Sequence, residues 1–213
     1  MVNSKTVNQI KSKIDSQTIV AATKYVGADE IRQLVDLGIS NVGENRTDAF
    51  LEKYQSLQDL DITWHFIGHL QSKKVKKVIN KIDYLHSLDR VSLADEIQKH
   101  RIEPLKCFIE VNISNETSKY GLNVSDVSSF CENMKNYDKI NIVGLMGMAM
   151  LTDDKTVIKA DFLKLLKLKD KLNQNPNLEI NYLSMGMSND YLIAIECGST
   201  HLRLGSILFK DEV

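Results

Sequence analysis

Proline and cysteine are scarce in this sequence, and long apolar runs are absent from it. With two prolines among 213 residues, the sequence has no proline-rich linker that would separate two domains. No apolar stretch reaches the roughly 20 residues that cross a bilayer, and the first residues lack the apolar core of a secretion signal, so we expect a cytoplasmic protein without membrane contact. Three widely spaced cysteines, Cys107, Cys131 and Cys197, predict reduced, packed thiols and no disulfide framework.

Charge of neither sign dominates, because 27 lysines and arginines face 28 aspartates and glutamates. A near-neutral chain is not typical of a nucleic-acid-binding protein. The segment 72–77 is dense in lysine, but Val75, Val78 and Ile79 give the helix predicted there an apolar face. These lysines indicate a solvated helix face, with an acidic partner as the alternative, and we expect no nucleic-acid binding.

Apolar, β-branched segments of strand length alternate with segments of helical periodicity along the chain. The predicted strands are 18–23, 39–42, 62–67, 84–85, 105–113, 140–146, 178–183 and 202–204. The predicted helices between them include 28–37, 46–57, 72–79, 91–100, 124–135 and 156–172. Alternation of this kind indicates a parallel sheet with helical crossovers. Eight such units close most economically into an α/β fold, a single (β/α)₈ TIM barrel over residues 1–213, with an open doubly wound sheet as the alternative.

Two glycine- and serine-containing turns follow the last two predicted strands, within segments 183–190 and 201–206. In a barrel of this kind the loops after strands seven and eight commonly hold a phosphate group. Glycine allows close approach of the backbone to a ligand, and Ser188 and Ser206 add hydroxyl groups. Ser188 is also the predicted N-cap of a short helix, 191–197, that ends at Gly198. The alternative is two ordinary capped turns without a ligand.

Lys24 follows the first predicted strand, which in a closed barrel is the neighbour of the eighth. This order places its amine at the same rim as the two turns. A lysine facing an enclosed site is paired, neutralised or covalently engaged, because an unpaired buried ammonium is unfavourable. Pyridoxal 5′-phosphate has both an aldehyde for a Schiff base and a phosphate for the turns. The alternative is a rim lysine in an ordinary salt bridge.

Several motifs resemble one known family in the same order along the chain, from Ile19 to Phe209. They are Ala22-Thr23-Lys24, Gly43-Glu44-Asn45, Trp64-His65-Phe66-Ile67-Gly68-His69-Leu70-Gln71-Ser72-Lys73-Lys74, Gly144-Leu145-Met146, Leu183-Ser184-Met185-Gly186-Met187-Ser188 and Leu202-Arg203-Leu204-Gly205-Ser206. Together they resemble the pyridoxal-phosphate homeostasis protein family, whose fold is similar to the N-terminal barrel of alanine racemase. Ser118-Lys119-Tyr120-Gly121 also resembles a family element, which makes Lys119 a secondary ligand candidate.

The resemblance implies a fold-type III barrel, without the C-terminal β domain of the racemase, that holds pyridoxal 5′-phosphate as a Schiff base. The residues it assigns to the cofactor are Lys24 for the Schiff base, Ser188, Gly205 and Ser206 for the phosphate, Arg203 for the pyridine nitrogen, and Asn45 and His65 for the ring or its entrance. The sequence departs from the family pattern at Arg46, where an aromatic residue is usual, and at Lys210, where a glycine usually follows Phe209.

The expected chemistry depends on Arg203, because a protonated guanidinium donates but cannot accept a hydrogen bond. A ring nitrogen facing it stays unprotonated and withdraws electrons weakly, and racemisation needs a second acid/base group that alanine racemase takes from its β domain. We therefore expect an intracellular carrier and buffer of vitamin B6, a monomer or weak homodimer that hands the cofactor to apo-enzymes without robust catalysis. The alternative is a small pyridoxal-phosphate-dependent amino-acid racemase or a related enzyme. His65 and His69 flank Gly68 and do not share a helix face, so we expect no metal site.

Overall fold

The computed structural model describes residues 1–114, 116 and 120–209, and its centre is a closed barrel of eight parallel strands. The strands pair in chain order, and the eighth closes on the first. They are β1 (Thr18–Ala22), β2 (Asn41–Glu44), β3 (Thr63–Phe66), β4 (Tyr84–Leu88), β5 (Leu105–Val111), β6 (Ile140–Gly147), β7 (Tyr182–Ser184) and β8 (His201–Leu204). The predicted (β/α)₈ barrel is confirmed, and the open sheet is not found.

Helices surround the barrel and connect its strands. They are α1 (Ser4–Lys11), α2 (Ala28–Asp36), α3 (Thr47–Ser56), α4 (Val75–Val78), α5 (Val91–His100), α6 (Val127–Met134), α7 (Lys155–Leu172), α8 (Tyr191–Glu196) and α9 (Ser206–Phe209), with short 3₁₀ turns at Ser72–Lys74 and Val124–Asp126. Within the described ranges, no helix has the length and apolar character that a bilayer crossing requires.

Two predicted strands begin too early, and in both cases a local hydrogen bond removes the backbone from the sheet. After α2, Gly38 adopts a left-handed conformation (φ +79°), and the Ile39 N–H bonds back to the Leu34 carbonyl, so β2 begins only at Asn41. Before β7, the side-chain amide of Asn173 donates to the Ile180 carbonyl and its oxygen accepts from the Ile180 N–H, both at 2.9 Å. This pair ties the backbone of Ile180 to the end of α7, and β7 begins at Tyr182.

The apolar core lies between the outer face of the barrel and the helices. Val75, Val78 and Ile79 are fully buried, which confirms the apolar face predicted for α4. Each aliphatic side chain buried in this way contributes about 1.5–3 kcal/mol. The three cysteines are buried and free, as predicted.

The barrel interior is unusually polar. The buried side chains of His65, His86, Ser184, His201 and Arg203 approach one another inside it, with aromatic rings of β4 and β5 beside them. Because buried polar groups require hydrogen-bond partners, this interior needs a satisfied network in place of an apolar filling.

Candidate active site at the carboxyl rim

Lys24 lies at the carboxyl rim of the barrel, in the turn two residues beyond β1. Strand β1 pairs in parallel with β8, and a Cβ placed on Gly205 would lie 3.5 Å from the carbonyl oxygen of Ala22. The structure therefore brings the chain around Lys24 next to the Gly205 turn. The side chain is exposed, with Nζ 4.7 Å from the centre of the Tyr25 ring. The sequence analysis expected this amine to face an enclosed site, and the structure does not enclose it.

The hydroxyl of Ser188 joins the two glycine-containing turns. Its Oγ accepts hydrogen bonds from the backbone N–H of Gly205 at 3.2 Å and of Ile207 at 3.4 Å. The prediction that Ser188 caps α8 is wrong, because Asp190 is the N-cap and its carboxylate accepts from the Met187 N–H at 2.5 Å. Ser188 instead bridges to the start of α9, and the two turns form one hydrogen-bonded unit.

Two further residues shape this unit. Gly186 has a left-handed backbone (φ +95°), and a Cβ added there would lie 2.6 Å from the Cβ of Ala194, so a side chain is excluded for both reasons. Ser206, the first residue of α9, is exposed. The turn can therefore present backbone N–H groups and serine hydroxyls to a ligand at this rim.

Arg203 is the third residue of β8, and its guanidinium donates three hydrogen bonds to residues of β6 and β7. One terminal nitrogen donates to the carbonyl and the hydroxyl of Ser184, both at 2.6 Å, and the other donates to the Gly147 carbonyl at 3.1 Å. Burial lowers the pKa of Arg203 to about 10, while the charges of Glu110 and Asp190 act in the opposite direction. Arg203 therefore stays protonated near neutral pH.

Glu110, on β5, is a buried carboxyl group in the electrostatic field of Arg203. Burial, with a smaller contribution from Asp89, raises its pKa from 4.5 to about 7, although Arg203 and Arg90 act to lower it. Its Oε2 is buried and has no hydrogen-bond partner among the described residues. A carboxyl group that titrates near neutrality is a candidate proton donor or acceptor, and the sequence analysis missed it.

We expect Glu110→Gln to change the pH dependence of folding stability. The unfolded carboxyl ionises near pH 4.5 and the folded one near pH 7, so the folded state loses stability as pH rises through this window. The loss approaches about 3 kcal/mol above pH 7, from a shift of about 2.5 units at 1.36 kcal/mol each. Urea unfolding at several pH values should show wild type losing this stability relative to the variant. Parallel pH profiles would contradict the assignment.

Asn45 lies just beyond β2 at the same rim, packed against the loop after β3. A Cβ on Gly68 would lie 2.4 Å from the Asn45 carbonyl oxygen, so only glycine allows this approach. The side-chain Oδ1 of Asn45 is buried without a hydrogen-bond partner among the described residues. An unpartnered oxygen at this rim fits a ligand-binding role.

His65 is not at this rim. Its ring stacks on Tyr84 with 4.6 Å between centres, and its Nε2 lies 3.0 Å from Oδ1 of Asn41, where Tyr84 and Asn41 are the first residues of their strands. Burial lowers the pKa of His65 to about 3. The structure thus places His65 toward the amino-terminal end of the barrel interior, away from the two turns, and gives no support to its predicted place at the ring or its entrance.

The remaining sequence candidates are separate from this site or outside the described residues. The ring of His69 stacks on Tyr120 at 4.2 Å, apart from His65, and the described part of the chain contains no cluster of three His, Cys, Asp or Glu side chains suited to a metal ion. Arg46 is exposed at the N-cap of α3. Lys119 and Lys210 lie outside the described residues.

A buried ion pair behind the rim was not predicted. Glu44 Oε1 accepts from Lys53 Nζ at 2.5 Å and from the Thr23 hydroxyl at 2.6 Å. Lys53 also donates to the Thr23 carbonyl at 2.7 Å, so the pair holds the residue that precedes Lys24. The sequence did contain a signal, because Lys53 shares the buried face of α3 with Phe50.

The donors and acceptors at this rim fit a phosphorylated aldehyde with a basic ring nitrogen. The Ser188 unit offers N–H and hydroxyl donors to a phosphate, Arg203 offers N–H donors to a ring nitrogen, and Lys24 offers an amine. The unpartnered oxygen of Asn45 adds an acceptor at the same rim. We find no group in this set that conflicts with such a ligand.

Comparison with known proteins gives a consistent picture. Residues 4–213 match the family model described as alanine racemase, N-terminal domain. The pyridoxal phosphate homeostasis protein of Aquifex aeolicus is 39% identical over 196 residues, which are 91% of this chain and 86% of that protein. The protein of the same name from Pasteurella multocida is 34% identical over 209 residues, 95% of this chain and 90% of that one.

Solved structures match over nearly the whole chain. PipY of Synechococcus elongatus, solved with PLP bound, has a TM-score of 0.90 and 29% identity, covering 97% of this chain and 99% of that one. Alanine racemase of Clostridium difficile has a TM-score of 0.84 at 14% identity, which shows the shared fold, and this chain spans 56% of its length. The chain belongs to the pyridoxal phosphate homeostasis protein family and has the barrel of the alanine racemase N-terminal domain.

Proposed function

We propose that this protein binds pyridoxal 5′-phosphate as a Schiff base on Lys24 and acts in intracellular vitamin B6 homeostasis as a carrier and buffer. The names of its relatives and the PLP bound to PipY support this role. The observation that carries the proposal is the meeting of two distant parts of the chain. The strand end that bears Lys24 lies beside Gly205, whose N–H donates to Ser188.

Each cofactor contact is proposed from what the side chain offers. Ser188, Gly205 and Ser206 bind the phosphate, Arg203 donates to the pyridine nitrogen, and Asn45 contacts the ring side. The bound cofactor supplies an aldehyde carbon that forms a carbon–nitrogen double bond with an amine and releases one water molecule. The amine of Lys24 is exposed at the rim, where the aldehyde and the water can reach it.

A carrier role is favoured over catalysis by the state of Arg203. Its pKa of about 10 keeps it protonated near neutral pH, so it donates to the ring nitrogen and cannot protonate it fully. The ring then withdraws electrons weakly, which suits reversible imine exchange more than carbanion chemistry. We propose pyridoxal-phosphate-dependent apo-enzymes as recipients, in the cytoplasm, from a carrier that is a monomer or weak homodimer.

A small amino-acid racemase or related enzyme is the second candidate, and the buried Glu110 favours it. A carboxyl group with a pKa of about 7 in the field of Arg203 has the proton affinity of a general acid or base. Alanine racemisation by wild type at the rate of a dedicated racemase, lost in Glu110→Gln, would favour this candidate. Imine formation without turnover of amino acids would favour the carrier.

Borohydride reduction followed by peptide mapping tests the site of attachment. Purified protein mixed with pyridoxal 5′-phosphate should absorb in the visible range, and reduction should remove this band and fix the label. We expect the label on the peptide that contains Lys24. A label confined to other lysines, such as Lys73 or Lys155, would contradict the proposed Schiff base.

A further inference from the structure

A continuous hydrogen-bonded chain crosses the barrel interior from Arg203 to the amino-terminal end of β2. Arg203 bonds the Ser184 hydroxyl at 2.6 Å, and that hydroxyl lies 2.8 Å from Nδ1 of His86. Nε2 of His86 lies 2.9 Å from Nδ1 of His65, and Nε2 of His65 lies 3.0 Å from Oδ1 of Asn41. We call these five residues the interior polar chain. Its members other than Asn41 are at most 5% exposed.

One direction of the hydrogen bonds in this chain fits both of its ends, because Arg203 can only donate and Oδ1 of Asn41 can only accept. In this direction the Ser184 oxygen accepts from Arg203, and the Ser184 proton has Nδ1 of His86 as its partner. A ring nitrogen that accepts leaves the other nitrogen to donate, so His86 donates from Nε2 to Nδ1 of His65. His65 in turn donates from Nε2 to Asn41. Both imidazoles are therefore neutral and carry their proton on Nε2.

The reverse direction fits less well. It would make the Ser184 oxygen accept from both Arg203 and His86, and the Ser184 proton would then have no partner among the described residues that bond this hydroxyl. A buried hydroxyl proton without a partner costs about 1–3 kcal/mol. Burial also lowers the pKa of both His65 and His86, which agrees with neutral rings.

The hydrogen bonds of Arg203 within the protein determine which of its N–H groups remain for a ligand. Among the described residues, three of its five N–H groups are hydrogen-bonded, to the carbonyl and the hydroxyl of Ser184 and to the Gly147 carbonyl. The guanidinium is thereby held in one plane by β6 and β7. Ser184 connects the two features, because its oxygen atoms accept the Arg203 hydrogen bonds and its hydroxyl continues the interior polar chain to His86.

We propose that Ser184, His86 and His65 are positioning residues, which hold the Arg203 guanidinium in a fixed orientation toward a ring nitrogen by a chain of single-tautomer imidazoles. This inference rests on the proposed binding of pyridoxal 5′-phosphate for its role, but the chain is a property of the protein alone. It assigns a role to His65 and His86, which lie apart from Lys24 and from the two glycine-containing turns. The polar side chains inside the barrel then serve to orient Arg203, the residue proposed to contact the ligand.

Nitrogen-15 NMR of the histidine rings tests the chain without cofactor. We expect His65 and His86 each to show one neutral form with the proton on Nε2. In Ser184→Ala, His86 loses the donor to Nδ1 and should no longer show a single form. The matched control is Ser199→Ala, another buried serine of the β7–β8 seam, whose hydroxyl donates to the Met185 carbonyl at 2.7 Å and is not part of the chain. This control should leave both rings unchanged.

A second measurement uses protein loaded with pyridoxal 5′-phosphate. Ser184→Ala and His86→Phe should retain the label on Lys24, shift the visible band, and raise Kd about two- to tenfold, the equivalent of one hydrogen bond. Ser199→Ala should match wild type. A proton on Nδ1 of either ring, or a Ser184→Ala protein with unchanged rings and spectrum, would overturn the inference. If wild type formed no imine, the proposed function would fail, while the ring forms would still confirm or refute the chain.

Discussion

Lys24→Ala is expected to abolish the visible imine band of the protein mixed with pyridoxal 5′-phosphate. Lys24 lies at the rim just beyond Ala22, whose carbonyl oxygen is near Gly205, and alanine has no group that can condense with an aldehyde. The phosphate and ring contacts remain, so we expect residual noncovalent binding with Kd raised at least about tenfold. Absorbance titration and equilibrium dialysis measure the two effects.

Two control variants distinguish loss of the imine bond from loss of the positive charge at position 24. Lys24→Arg keeps a cation at the rim but forms no stable imine, so it should lose the band as completely as Lys24→Ala. Lys155→Ala removes an exposed lysine at the start of α7 and should leave the band intact. A band of wild-type intensity in Lys24→Ala would refute the assignment of this lysine.

Lys53→Met is expected to lower the free energy of unfolding by about 3–5 kcal/mol. Its partner Glu44 is fully buried, and removal of Lys53 leaves that carboxylate without its counter-charge. The Thr23 carbonyl also loses a donor at 2.7 Å, so the turn that bears Lys24 becomes less fixed. Urea unfolding measures the stability, and the rate of imine formation measures the effect on the turn.

The matched control for this variant is Lys135→Met, which breaks an exposed ion pair. Lys135 and Glu132 lie 2.6 Å apart, but their side chains are 39% and 52% exposed, so the expected loss is about 0–1 kcal/mol. Combining Lys53→Met with Glu44→Leu removes the stranded carboxylate and should recover much of the lost stability. Equal decreases in the free energy of unfolding for Lys53→Met and Lys135→Met would contradict this prediction, because the buried ion pair would then contribute no more to stability than the exposed one.

The barrel and the rim were predictable because they depend on local patterns. Eight apolar segments alternating with amphipathic ones give the topology, and the position of Lys24 after the first strand gives its place at the rim. Chain order also places the Gly205 turn next to it, since β8 closes on β1. These inferences need only the period of the pattern and the closure of the sheet.

The side-chain partners were not predictable in the same way. Ser188 looked like a helix cap from its neighbours, yet it bonds N–H groups 17 and 19 positions further along the chain. His65 belongs to a strand, but whether its ring points up or down the barrel depends on Asn41 and Tyr84, which lie on neighbouring strands. Long-range contacts of this kind follow from strand register and rotamers, which one sequence does not display.

The bond between Ser188 and the Gly205 turn has a consequence for the proposed release of the cofactor. The Ser188 oxygen accepts from the backbone N–H groups of Gly205 and Ile207, and the N–H of Gly205 is one of the donors that we propose for the phosphate. With no phosphate bound, the Ser188 oxygen keeps these two N–H groups hydrogen-bonded. Under the proposed function, binding and release of the cofactor would exchange one oxygen acceptor of the Gly205 N–H for another. Such an exchange would suit the reversible cofactor binding that we propose for a carrier.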